Sequence, residues 1–410
     1  MLKSIISPHY VKKIKDNIFV IPNLKSRNEF LELQVKKYEQ GLKGEKFKNN
    51  LVKIGNENYE LNYFFIPFKR LDTNLGWNAI TNSLRAHYLE IYNDKVFLIS
   101  GEGQTIYFDK NNLNKDSLNF KKIKNNISEI ISQNNLELIG IRDLYIYNDK
   151  IFISMITKNQ SGITMDIYQA SINYNELEFD IFFRTEEYWE NYNVFSGGRI
   201  EKLSEESILF SIGYSGVHKA SQSLDSLLGK IIKINLKNKN YEIISYGHRN
   251  PQGLRYLEKY DIIINSEHGP KGGDEINVNK LKENKKNLKN FGWDIASYGI
   301  AYDGTDPFKK SHKDYGFVEP LKYYTPSIGI SEILYLEENN FCKNKCIWTS
   351  SLRANSIYIL SVDDEFNKII SSERLFLKKN RIRDIDYDAD LNSIIFLSEN
   401  IPSIIFLRKK

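Results

Sequence analysis

The feature that most constrains this chain is a hairpin-shaped unit that returns six times. Each copy is a strand of alternating apolar residues, a short polar turn, and a second strand rich in β-branched and aromatic residues. The copies are HYLEIYNDKVFLIS from His87, RDLYIYNDKIFIS from Arg142, GRIEKLSEESILFSIG from Gly198, GLRYLEKYDIIINSE from Gly253, SEILYLEENNFCKNKCIWTSS from Ser331 and RDIDYDADLNSIIFLSE from Arg383. With Leu89, Leu144, Ile200, Leu254, Ile333 and Ile385 taken as equivalent, the steps are 55, 56, 54, 79 and 52 residues. The long step holds a Lys/Asn-rich insertion, NKLKENKKNLKN, and a Gly/Asp/Pro stretch. Further strand-like runs, TIYFD at Thr105, GKIIKINL at Gly229 and SIYILSV at Ser356, lie between the hairpins. Four short strands per unit, repeated radially, predict an all-β fold, a six-bladed β-propeller. A sandwich and a solenoid are the competing architectures. The solenoid fits poorly, because its units would be too large and are built on hairpins.

Composition agrees with one large β domain. Of 410 residues, 41% are apolar and 13% aromatic, with Tyr 26 and Phe 23, enough for a substantial core. The net charge of +5 is mild, and no basic stripe or nucleic-acid-binding motif is visible. No run approaches the ~20 apolar residues of a membrane span. Residues 1–80 match the repeat poorly and are read as an N-terminal extension packed on the surface, with 81–410 as the propeller. Within the extension, Asn28 to Tyr38 has helical character and Glu60 to Phe68 reads as a strand or buried segment. Cys342 and Cys346 lie close together and suit either a turn disulfide or two free thiols. Two ligands alone do not make a zinc site.

The densest polar chemistry lies in Gly247 to Asn277, GHRNPQGLRYLEKYDIIINSEHGPKGGDEIN. Its middle is the fourth hairpin, Gly253–Leu257 with Asp261–Asn265. An antiparallel pair returns the chain to the end it left. Arg249, Asn250 and Gln252 are therefore expected to meet His268, Gly269 and Pro270 at one end of a sheet. Gly272 and Gly273 allow the backbone to approach a ligand closely.

The blocks GHRNPQGL and SEHGPKGGDEIN, followed by Phe291-Gly292-Trp293, resemble the soluble quinoprotein glucose/sorbosone (aldose sugar) dehydrogenases. More thinly, the resemblance runs from about Leu84 to the C-terminus. It implies a six-bladed propeller that uses pyrroloquinoline quinone (PQQ) and calcium to oxidise a sugar or other alcohol. It also implies a periplasmic or extracellular location. No secretory signal is visible in MLKSIISPHYVKKIKDNIFVIP, which leaves a cytoplasmic location as the alternative. By resemblance, Arg249 and Asn250 are cofactor contacts, Arg353 takes the place of a basic residue in the fifth blade, and Arg381 and Arg383 match paired arginines. Gly269 and Pro270 match a turn whose carbonyl oxygens bind calcium, with Asp274 and Glu275 bracing it; calcium accepts such hard oxygen ligands.

The flanks of the six hairpins give the same picture. If each hairpin is the inner half of a blade, residues just outside it share one rim. Seven arginines fall there, Arg85, Arg142, Arg199, Arg249, Arg353, Arg381 and Arg383, together with Gln252 and His268. The flanks hold few carboxylates, though a salt bridge to one such as Asp384 would satisfy any single arginine. Crowded like charges favour a bound anion, and forked guanidinium groups suit a planar polycarboxylate such as PQQ.

At the third blade the resemblance breaks. Active members carry a histidine base before Gly-Gly-Arg and an aspartate in the next turn that orients it. This chain has Phe195 and Tyr214 there. Phenylalanine cannot accept a proton, and loss of a general base typically costs ~10²–10⁴ in rate. His218 and His87 are weak substitutes. His268 is expected to act by position, and His248 to be a hydrogen-bonded structural residue. Two functions follow: a sugar dehydrogenase with impaired or altered catalysis, or a non-catalytic propeller that binds an anionic ligand or a protein. A calcium-dependent hydrolase would need a ring of acidic ligands that the rim lacks.

Overall fold

The computed structural model describes residues 43–68, 84–190, 195–282 and 288–410. The helical pattern at Asn28 to Tyr38 lies outside them. The expected hairpins form, and each opens a separate sheet. The innermost strands are His87–Tyr92, Glu137–Tyr147, Gly197–Ser204, Pro251–Leu257, Ile330–Leu336 and Ile382–Asp388. Each touches the next, and the last touches the first, so the six sheets close into a propeller.

Continuous apolar runs mark the second strand of each blade because both of its faces are buried. In Ser393–Ser398, Ile394 and Phe396 face the fifth blade while Ile395 and Leu397 face the first. In Lys95–Ser100, Phe97 and Ile99 face the second blade while Val96 and Leu98 face the sixth. Side chains alternate across a strand, so a one-residue slip would exchange the two sets and empty both interfaces. The core is therefore six layers between blades. The layer between the third and fourth blades is the smallest, built on Leu209, Ile231, Leu254 and Ile263.

The structure corrects the expected boundary at residue 80. Glu57–Phe65 pairs with Ser403–Lys409 and completes the sixth blade, and Lys43–Ile54 adds a further strand. The sixth hairpin is followed by only one more strand, so its fourth must come from a distant part of the chain. Tyr59, Leu61 and Tyr63 pack toward the fifth blade, and Phe64 toward the first. Residues 43–68 are thus sheet and core rather than a surface extension. Cys342 and Cys346 form a disulfide in the turn of the fifth hairpin. No helix among the described residues is long and apolar enough to cross a membrane.

Candidate functional site

The fourth hairpin builds one side of the site. Pro251 pairs with Glu267 and Leu257 with Ile262, so the polar segments before and after the hairpin emerge side by side. The Arg249 guanidinium donates through Nη1 to the His268 carbonyl at 2.9 Å, and the His268 amide donates to the Asn250 carbonyl at 3.1 Å. Below them Glu267 accepts from the Arg249 amide at 2.7 Å and lies 3.0 Å from His248 Nδ1. Burial works against its charge, yet His248 and the Arg249 amide hold the Glu267 carboxyl below its ordinary value. His248 is fully buried and also bonds Ser245, as expected of a structural histidine.

The Gly269-Pro270 turn is held from behind by Asp274. Its carboxylate accepts from the Gly269 amide at 3.2 Å, Ser327 Oγ at 2.7 Å and the Ile330 amide at 3.0 Å. His268 Nδ1 lies 3.8 Å away, and against burial this set holds the Asp274 carboxyl below its ordinary value. A Cβ on Gly269 would fall 2.2 Å from the Gly273 carbonyl oxygen, so only glycine closes this turn. Among the described residues no hydrogen bond ends on the Gly269 or Pro270 carbonyl, leaving two hard oxygens open. Glu275, expected to brace the same turn, instead faces His312 and Asn277. Among the described residues no group of three or more His, Cys, Asp or Glu is arranged to hold a metal, so an ion at this turn would rest on backbone oxygen.

Four rings surround Arg249. Its guanidinium carbon lies 4.6 Å from the Phe195 ring centre, 5.0 Å from Trp293, 5.7 Å from Tyr214 and 5.9 Å from Tyr302. Phe195 and Tyr214 are stacked at 5.8 Å with their planes 10° apart, and Trp293 meets Tyr214 edge-on. Tyr302 Oη accepts from Arg249 Nη2 at 3.3 Å, while Arg249 Nε is buried and finds no protein acceptor. Burial pushes the Tyr214 phenol above its ordinary value, and Arg249 partly opposes the shift. The backbone explains why the first two rings are fixed: the Tyr214 amide donates to the Arg249 carbonyl, and the Ser215 amide to that of Phe195.

The other arginines divide in a way that corrects the idea of a rim short of carboxylates. Arg199 is locked on the axis by Asp143 at 2.7 Å, Glu332 at 2.8 Å and Asp384 at 3.4 Å. Arg383 bonds Glu399 at 2.5 Å and Gln252 Oε1 at 2.9 Å, and Arg381 reaches Glu399 at 3.4 Å. Against burial, these two arginines hold the Glu399 carboxyl below its ordinary value. Gln252 Oε1 also accepts from Arg142 at 3.3 Å, and its Nε2 donates to Asn250 Oδ1 at 3.0 Å. Arg353 is exposed beside Gly329. Glu332 lies on a different blade from Arg199, and Glu399 meets Arg381 and Arg383 only through the return strand of the sixth hairpin, which is why reading the flanks misses both.

The two weak substitute bases sit at the margins, His218 meeting the Tyr214 ring edge-on at 6.5 Å and His87 lying near enough to Glu399 to help hold its carboxyl low. His218 is 83% exposed and pairs with Asp294 at 3.3 Å. His87 is buried and stacks on Phe68 at 5.0 Å. Trp293 and Tyr302 are not expected at Arg249 from the sequence. Trp293 is signalled only by the Phe291-Gly292-Trp293 match, and Tyr302 only by lying in the insertion that follows the fourth hairpin, into which the strand Asp274–Lys280 leads.

Comparison with known proteins follows the same lines. A sequence profile of the family described as Glucose / Sorbosone dehydrogenase matches residues 120–405. An aldose sugar dehydrogenase of Escherichia coli strain K12 is 27% identical over 210 residues, which is 47% of this chain and 54% of that protein. The chain spans about half the length of the curated relatives it matches. The apo crystal structure of the soluble aldose sugar dehydrogenase from Escherichia coli superposes with a TM-score of 0.63 at 20% identity, covering 79% of this chain and 96% of that one. The PQQ-bound aldose sugar dehydrogenase of Streptomyces coelicolor gives 0.56 at 16% identity, covering 80% and 99%. With most of the repeat array inside the matched region, the chain belongs to the glucose/sorbosone dehydrogenase family.

Proposed function

We propose that the chain is a sugar dehydrogenase-like oxidoreductase that binds PQQ and calcium, with proton transfer impaired at the third blade. The observation that carries this reading is the bond from Arg249 to the His268 carbonyl at the head of the Gly269-Pro270 turn, the guanidinium keeping a buried N–H, and the turn two carbonyls, without a protein partner. A carboxylated quinone beside a calcium ion suits that donor set, since guanidinium groups pair with carboxylates and calcium accepts carbonyl oxygen. Arg249, Asn250, Gln252, His268, Arg353, Arg381 and Arg383 would hold the quinone, and Gly269 and Pro270 the ion. The quinone, when bound, supplies the hydride acceptor. Similarity to a PQQ-bound relative supports the cofactor, and similarity to an aldose sugar dehydrogenase supports a sugar substrate.

The chain's own residues bind and orient well but are poorly equipped to move a proton. Asn250 Oδ1 accepts from the Gly197 amide at 3.1 Å, which ties the third blade to the cofactor side of the fourth. Phe195 offers no proton acceptor, and the phenol of Tyr214 holds its proton more tightly than usual. The second reading, a silent propeller that keeps the anion pocket, is favoured by this pair of rings. The Cys342–Cys346 disulfide supports an exported protein, since such bonds persist in oxidising compartments. The test is titration of purified protein with PQQ and calcium, read by absorbance, followed by dye reduction across a sugar panel. Binding with slow turnover is expected. Absence of any absorbance change would overturn the quinone reading, and binding with no turnover on any sugar would select the silent propeller.

A further inference from the structure

We propose that Phe195 and Tyr214, with Trp293 and Tyr302, are a cation–π clamp that fixes Arg249 as the anchor for a ligand carboxylate. The inference deepens the proposed function and rests on it for the identity of the ligand, but not for the clamp itself. Arg249 is only 3% exposed as a residue, and a charge withdrawn from water needs compensation. Beyond the His268 carbonyl, that compensation comes from the faces and edges of four rings, two of which stand where the resemblance implies a base and its orienter. Rings attract the cation without consuming its N–H groups. Arg249 spends one donor on the His268 carbonyl and one on Tyr302, and keeps Nε–H without a partner. The residue is thus held in place and still able to donate, which is what recognition of a carboxylate requires. Replacing the base and its orienter with aromatic residues is a matched change: both rings stack on each other and both lie over the same guanidinium.

Phe195 and Tyr214 are positioning residues in this account, and the test reads Arg249 directly. In arginine-selectively labelled protein without ligand, the Arg249 Nε–H is expected to be shifted by the ring currents and protected from exchange. Arg249→Lys identifies the signal by its loss. Phe195→Tyr keeps the ring and should keep the signal. Phe195→Leu keeps the bulk but not the π face and should return the signal toward that of a solvated arginine. Titration with PQQ and calcium should show about five- to tenfold weaker binding for Phe195→Leu and less than about twofold change for Phe195→Tyr. Unfolding midpoints check that both variants are folded, and Tyr214→Leu against Tyr214→Phe repeats the comparison if Phe195→Leu is not. An Arg249 signal identical in wild type and Phe195→Leu overturns the clamp. A clamped signal in a protein that ignores PQQ, but binds trimesate in an Arg249-dependent way, supports the clamp and defeats only the quinone reading. A protein in which Leu and Tyr variants bind equally overturns the role of the rings in recognition.

Discussion

Arg199 and Arg249 are almost equally buried, 5% and 3% exposed, and their surroundings could hardly differ more. On the axis, Arg199 is encircled by Asp143, Glu332 and Asp384, donates to the Gln252 carbonyl, and touches one ring, that of Tyr88. Burial works against its charge, but the carboxylates hold it protonated beyond the usual range. At the rim, Arg249 has no carboxylate within ion-pair distance of its guanidinium among the described residues, and is surrounded by rings. A charge neutralised by carboxylates has spent its donors on the fold. A charge stabilised by π faces still has donors to offer. Burial and residue type alone therefore do not mark a binding arginine; the chemistry of its neutralisation does.

The comparison breaks most visibly if either arginine is removed. Arg199→Met should destabilise the protein by about 3–5 kcal/mol in denaturant unfolding, because a buried cluster of three acidic side chains loses the cation at its centre. Arg249→Met should cost about 1 kcal/mol or less, since an apolar chain suits the ring cage, yet weaken PQQ binding by about tenfold to a hundredfold. A large loss of stability at Arg249 with unchanged binding would reverse the two roles.

A second change asks whether clamp and base compete for the same positions. Phe195→His with Tyr214→Asp should raise sugar turnover by on the order of 10²-fold if the pocket is otherwise competent. Either single change should do less, because a histidine without its orienter samples unproductive tautomers. The same double variant removes two rings from Arg249, so its affinity for PQQ should fall while kcat rises. Steady-state kinetics and absorbance titration on one preparation separate the two effects.

The smallest expected effect is a difference in pH dependence. Along the axis burial pushes Glu332 up to about 8, Glu201 to about 7, and Asp143 and Asp386 to about 6. The folded protein holds protons there that the unfolded chain releases, so this stability is present at low pH and lost as pH rises through the folded values. Around the site Asp274, Glu267 and Glu399 are held low, so their contribution is present above the ordinary carboxylate range and lost as pH falls. Thermal melts between about pH 4 and 8 should flatten on the alkaline side in Glu201→Gln and on the acid side in Asp274→Asn, by about 2 °C. Parallel melts in wild type and both variants would show that the two carboxylate sets do not differ.

Much of the architecture is legible in the order of the residues. The near-identical runs at His87 and Arg142 carry the period, the turn and the apolar alternation locally, so six hairpins can be located from them. The fourth hairpin also implies that Arg249 and His268 meet, because antiparallel pairing fixes which ends come together. Legibility stops where partners come from other blades or other strands. Glu399 lies close to Arg381 and Arg383 in sequence, but only the return of Ser393–Ser398 alongside Ile382–Asp388 shows that it faces both. Trp293 and Tyr302 sit in an insertion without a repeat to place it.

By itself, the sequence determined the repeat, the strand faces and the absence of a ready proton acceptor at Phe195, since period, alternation and the protonation chemistry of a side chain are local properties. Tertiary structure alone decided that Glu57–Phe65 closes the sixth blade, that Arg199 is neutralised on the axis, and that the Phe195 and Tyr214 rings lie over Arg249. Each of these depends on which distant segments share a dry interface. Burial strengthens electrostatic and cation–π interactions between groups that no spacing along the chain relates.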